Sequence, residues 1–147
     1  MNSRYTSGLI ALLAIAGCSH PTHSIVGTWT SGADDARHIA SQTITYKADG
    51  TFEQDASMSD PGRSISVDFK SSGTWKEVSE DHYQIQFTDI AMSNLAAPTM
   101  DTGAANQMMQ QMKPQLLKDA NQNPDFTTAW SGNDTFNIGS TTFHRKP

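Results

Sequence analysis

The run His82-Tyr83-Gln84-Ile85-Gln86-Phe87 decides how this chain is read. Tyr83, Ile85 and Phe87 alternate with His82, Gln84 and Gln86, the period of two expected of a strand with one buried face. The same period recurs on both sides of it. Upstream, Ile65, Val67 and Phe69 alternate with Ser66 and Asp68, and Ile44 and Tyr46 alternate within residues 42–47. Downstream, Phe126, Thr128 and Trp130 repeat it near the end. Turn residues separate the runs: Asp49-Gly50, Asp60-Pro61-Gly62, Ser71-Ser72-Gly73, Ser131-Gly132-Asn133-Asp134 and Gly139-Ser140. This pattern predicts a mainly β domain of about eight or nine short strands joined as hairpins, closed as a sandwich or barrel.

One stretch breaks the alternation. From residue 91 to 123 no period of two is visible, while Ala105, Met108, Met109, Met112, Leu116 and Leu117 recur at helical spacing. Asp101 or Thr102 is the expected N-cap and Asn121 to Pro124 the expected stop, which places a helix near residues 103–121. Pro114 is expected to kink it or split it. The Met-rich face needs a surface to pack on, across a barrel mouth or along its flank.

The N-terminus carries a different signal. A polar head with the single cation Arg4 precedes the apolar run Leu9 to Ala16, far short of the about 20 residues that span a bilayer. The run ends Ile15-Ala16-Gly17-Cys18 and resembles the lipobox of bacterial lipoproteins. That resemblance implies cleavage between Gly17 and Cys18, lipidation of Cys18 and anchoring in the cell envelope. Residues 1–17 are then a signal peptide, 18–24 a lipidated tether and 25–147 the folded domain with its insertion at 91–123. Ser19 stands where an aspartate would retain such a protein in the inner membrane. In a Gram-negative host this implies the outer membrane, facing the periplasm; in a Gram-positive host the outer face of the plasma membrane. Extended, Ser19 to Ser24 reach roughly 20 Å, so the domain hangs close to the headgroups.

Of 147 residues, loss of the first 17 leaves 130, enough for one domain with a modest core. It also removes Arg4 and takes the net charge from −5 to −6. An acidic chain argues against nucleic acid as a partner. Cys18 is the only cysteine, so the fold stands without a disulfide.

Further landmarks carry a second resemblance. Gly27-Thr28-Trp29 opens the first strand, Lys47-Ala48-Asp49-Gly50-Thr51-Phe52 makes a hairpin, Gly73-Thr74-Trp75 opens a middle strand and Thr142-Phe143-His144-Arg145 closes the chain. This order is similar to bacterial lipocalin-like lipoproteins, relatives of the calycin β-barrels. The resemblance implies a small antiparallel barrel of about eight strands. It also implies a base sealed by Gly27, Trp29 and a cation from the last strand, Arg145, or Lys146 if that strand runs one residue longer. An indole face accepts a guanidinium, which gives the pairing a physical basis.

Chemistry is harder to find. Asp101-Thr102-Gly103 has the letters of a retroviral-type aspartic protease, but a helix follows it and Ala97-Pro98-Thr99 precedes it, the context of a helix cap. His20, His23, His38, His82 and His144 show no metal-ligand spacing. Met100, Met108, Met109 and Met112 suit Cu(I) in kind, although packing explains them without a metal. The sequence therefore predicts no enzyme, no cofactor and no metal. Two readings stay open. The first is a binding barrel for a small apolar ligand, its candidate cavity lined by Ile44, Tyr46, Phe52, Ile65, Val67, Phe69, Tyr83, Ile85 and Phe87, with the helix as lid. The second is an envelope accessory protein, an assembly factor or inhibitor with a filled barrel, that engages another protein through its helix.

The anchor reading is directly testable. Replacing Cys18 with Ser is expected to move the protein from the membrane fraction to the soluble fraction on cell fractionation. Retention in the membrane fraction would refute it.

Overall fold

The structure, a computed structural model, describes residues 23–32, 39–62, 64–96 and 101–147. Gly17, Cys18, His20, His38 and Met100 lie outside the described residues, as do residues 97–99. The elements run β1 (Gly27–Ser31), β2 (Ile39–Tyr46), β3 (Thr51–Asp60), β4 (Ile65–Ser79), β5 (His82–Ala96), α1 (Thr102–Ala120), β6 (Asp125–Thr127), β7 (Ala129–Trp130), β8 (Thr135–Ile138) and β9 (Thr141–Arg145). The nine strands form one antiparallel sheet in the order β6-β5-β4-β3-β2-β1-β9-β8-β7.

That sheet is nearly a closed barrel, and its two edge strands show why. β6 pairs with β5 and β7 pairs with β8, yet only Thr128 separates β6 from β7. One short segment thus changes partners at Thr128 and joins both edges. Asp81 holds the joint: its carbonyl accepts the Thr128 N–H (2.9 Å), and its carboxylate Oδ1 accepts the Trp130 indole N–H (2.8 Å). Asp81 adopts a positive φ of 57° in the two-residue turn between β4 and β5, which brings both acceptors to the seam.

Hairpin connectivity assigns the turns to two ends. The β2–β3, β4–β5 and β7–β8 turns share one end, the base, with the start of β1 and the end of β9. The β3–β4 and β8–β9 turns and the connection carrying α1 share the other, the mouth. At the base, Gly50 takes a φ of 82° in its turn while Asp49 Oδ1 accepts the Thr51 amide (2.9 Å) and hydroxyl (2.6 Å). Asp49 and Gly50 are therefore a working pair: one caps the turn and the other supplies the left-handed residue.

Two expectations are corrected. Ser71-Ser72-Gly73 is not a turn, because β4 runs through it without interruption for 15 residues. A Cβ on Gly73 would overlap the Gln86 carbonyl of β5 and the Phe52 ring, and the β4–β5 register shifts beside it. The glycine marks a bulge where the wall coils tightly. Likewise the strand after Phe87 does not stop near residue 91 but continues to Ala96. Bulges leave Thr88 and Ser93 unpaired, so the inward positions step from Phe87 to Ile90, to Met92, to Leu95. Each bulge flips the parity, which erased the period of two.

The helix α1 starts and stops as its caps predict. Asp101 Oδ1 accepts the Ala104 N–H (2.9 Å) and Asn121 is the C-cap. It is a single helix through Pro114, not two. Pro114 lies on the exposed side, where the missing hydrogen bond opens to water. The helix packs on β5, with Ala105 buried and Lys113 ion-paired to Asp89. Asn121 completes the edge: its amide accepts from Phe87 N–H (2.8 Å) and donates to Phe87 C=O (3.0 Å), past the point where β6 ends.

The bulge assignment generates a test. Gly73→Ala is expected to destabilise the protein by about 1–3 kcal/mol in urea unfolding, the usual cost of overpacking. A change near zero would show that the wall does not approach closely at this point.

Candidate functional site

Inside the barrel the two ends differ. At the base, Trp29 is fully buried and its indole N–H donates to the Ile25 carbonyl (2.6 Å). The Arg145 guanidinium lies over its ring, 4.1 Å from the centroid. The same guanidinium donates to the carbonyls of Val26 and Ser24 (2.9 Å each) and pairs through Nε with Asp134 (3.1 Å). Gly27, at a φ of 137°, leaves the room that Arg145 occupies; a side chain there would collide with Nη1. Gly27, Trp29 and Arg145 thus lie together at one end, whereas Lys146 stays exposed. His23 stacks on Trp130 at 4.8 Å, so the last residues of the expected tether are already part of the base.

Above this floor, Trp29 meets Phe136 edge-on (4.6 Å), and Phe136 stacks on Phe143 (5.1 Å). The aromatic layer fills the lower barrel. Toward the mouth the filling stops, and a cavity of 220 Å³ opens between Ile44, Tyr46, Ile85, Phe87, Phe126, Ile138 and Phe143, with Gln42, Gln54 and Thr141 on its wall.

Of the nine residues expected to line a cavity, Ile44, Tyr46, Ile85 and Phe87 do so. Phe52 and Tyr83 are buried in the core nearer the base. Ile65, Val67 and Phe69 face inward by register but sit on the mouth-side stretch of β4, half-buried and beyond the cavity. The strands β4 and β5, at 15 residues each, outrun β2, at eight, so their mouth-side ends stand clear of the enclosed part. α1 packs along β5 and does not span the opening as a lid would.

Gln42 and Gln54 were not expected in the cavity. Their signal was present: both fall on the inward parity of their strands, in phase with Ile44 and Phe52. A polar residue in an inward phase is the mark of a buried polar contact. Ser71 Oγ donates to Gln54 Oε1 (3.3 Å) and Gln54 Nε2 donates to Gln42 Oε1 (3.1 Å), a relay across three strands. Ser31 pairs with Gln42 across β1 and β2, and its buried hydroxyl has no hydrogen-bond partner among the described residues.

Among the described residues, no Asp, Glu, Lys, Arg or His lines the cavity. Burial pushes the Tyr46 phenol well above its ordinary range, aided by the nearby Tyr83. Burial, and the charges of Glu77 and Asp81, push Tyr83 up to about 12. The described lining of the cavity is therefore uncharged across the physiological range. Among the described residues no group of three His, Cys, Asp or Glu could hold a metal ion, and no helix is long and apolar enough to cross a membrane. Asp101 is occupied as the cap of α1. No protein-family model matches the chain, and no curated protein matches it.

The two phenols yield a test. Residues 18–147 hold no tyrosine except Tyr46 and Tyr83. Their folded-state pKa values are raised, so the stability they contribute is complete below 10.0 and is lost as pH climbs through about 12. Phenolate absorbance of this chain, with Cys18→Ser, is expected to stay flat through pH 10 and to rise together with unfolding near or above 12. Titration near pH 10 with the fold intact would place the phenols in water.

Proposed function

We propose that this protein is an envelope lipoprotein, anchored through Cys18, whose barrel binds a small apolar molecule in the mouth cavity. The observation that carries the reading is the cavity itself: a sealed aromatic floor, an open mouth and a mostly apolar wall. Its 220 Å³ falls below the about 300 Å³ at which drug-sized sites begin, but exceeds an apolar cavity of about 150 Å³ that takes up benzene. The capacity is that of one ring or a short branched chain.

The base is compatible with the family likeness and gives an anchored chain its orientation. Gly27 and Trp29 beneath Arg145 match the arrangement that the likeness to lipocalin-like lipoproteins implies. The same contacts hold residues 24–26 against the base, so the chain toward Cys18 leaves from the closed end. Five residues from Cys18 to His23 reach at most about 18 Å. The base is then held at the membrane and the mouth opens toward the aqueous side, away from the acyl chains.

A second reading rests on α1. Met108 and Met112 are 43% and 45% exposed on its outer face, a soft apolar pair suited to a protein partner. The readings separate on one experiment. Native mass spectrometry of the secreted chain 18–147 with Cys18→Ser, purified without detergent, is expected to show a discrete added mass that denaturation removes. A bare protein mass, together with no uptake of one-ring compounds, would refute the binding barrel and leave the partner reading.

A further inference from the structure

We propose that the mouth cavity selects a neutral, one-ring molecule bearing a single hydroxyl, and that Gln42 is the residue that reads this group. The inference rests on the binding reading above and goes further, because it names the ligand chemistry.

Three observations carry it. The volume, 220 Å³, accommodates about one ring. Among the described residues, the wall has no ionisable group other than the Tyr46 phenol, which burial keeps neutral. A charged ligand would lose its water there and find no counter-charge among the described residues. The third is the relay that ends in the cavity. Ser71 bonds Gln54 and Gln54 bonds Gln42, which is only 7% exposed and lines the opening. Gln42 Oε1 is used by Gln54, and among the described residues the remaining amide atom of Gln42 is the open end of the chain. If both amides turn over together, the relay is kept with its sense reversed, and the open end becomes an acceptor instead of a donor. A ligand hydroxyl satisfies either sense, since it both donates and accepts.

Ser31 adds an independent sign that this corner is built for a polar group. Its hydroxyl lies across the β1–β2 pair from Gln42, the residue is 6% exposed, and the oxygen has no partner among the described residues. A buried hydroxyl left unpaired is unfavourable, which marks this corner as one where a further polar group would be stabilised. Elsewhere on the wall Ile44, Ile85 and Phe143 offer only apolar contact, and the other polar side chains there are Tyr46 and Thr141.

The probes are benzene, phenol and benzoate, titrated calorimetrically into the secreted chain 18–147 with Cys18→Ser at neutral pH. Phenol is expected to bind roughly tenfold more tightly than benzene, the worth of one net hydrogen bond, and benzoate more weakly than either. Gln42→Leu keeps the shape of the wall and removes the amide. It is expected to bring phenol and benzene to similar affinity. Gln54→Met, which breaks the relay from behind, is expected to reduce that preference, and serves alone if Gln42→Leu fails to fold. Equal binding of phenol and benzene by the unaltered cavity would overturn the proposal while leaving the binding barrel standing. A phenol preference that survives in a folded Gln42→Leu, or in Gln54→Met when the Leu variant does not fold, would overturn it too. Binding of none of the three probes would sink both the proposal and the binding reading beneath it.

Discussion

The stack of Arg145 on Trp29 is the contact on which the rest of this barrel depends. It joins the last strand to the first, at opposite ends of the chain, and closes the end of the barrel with the same atoms. A guanidinium is suited to this because its flat face meets the indole while its edge donates to two carbonyls and a carboxylate. The charge is thus covered by the indole on one side and bonded to three acceptors at its edge, which limits the desolvation cost. Gly27 is part of the same device, since any side chain there would expel Nη1. With the floor sealed, Phe136 and Phe143 stack above it, and the open volume is left at the mouth.

A second constraint shapes the wall. A barrel this small must coil its longest strands, and β4 and β5 do so at bulges beside Gly73, Thr88 and Ser93. The helix α1 then covers the outer edge of β5 that β6 is too short to protect, with Asn121 standing in for a strand at Phe87. The seam between β6 and β7 is held by Asp81 rather than by a further ladder. Closure of this barrel therefore relies on side chains at a few places where backbone pairing runs out.

These devices explain what could be read from the sequence and what could not. The alternation at Tyr83, Ile85 and Phe87 announced a half-buried strand because local period and burial agree there. The base trio was legible through a family likeness, and Asp101 and Asn121 through cap chemistry. Gly73 misled because a glycine after two serines reads the same whether it turns the chain or admits a neighbouring carbonyl, and only the partner strand decides. Residues 91–96 were hidden because two bulges shifted the inward phase. Ile65, Val67 and Phe69 have the right parity, but strand length places them beyond the cavity. Gln42 and Gln54 were visible as polar residues in an inward phase. Their meaning comes only from the relay that connects them to Ser71.

The central claim is that one cation–aromatic clamp seals the base and ties the N-terminal segment to the last strand. A double-mutant cycle on Trp29→Ala and Arg145→Met, read by urea unfolding, tests it most directly. The account predicts a loss of about 3–5 kcal/mol for Trp29→Ala alone, as for a fully buried tryptophan. It also predicts a coupling between the two substitutions of about 1–2 kcal/mol. Additivity within about 0.5 kcal/mol would mean that the two residues stand near each other without holding the base together, and would contradict the account.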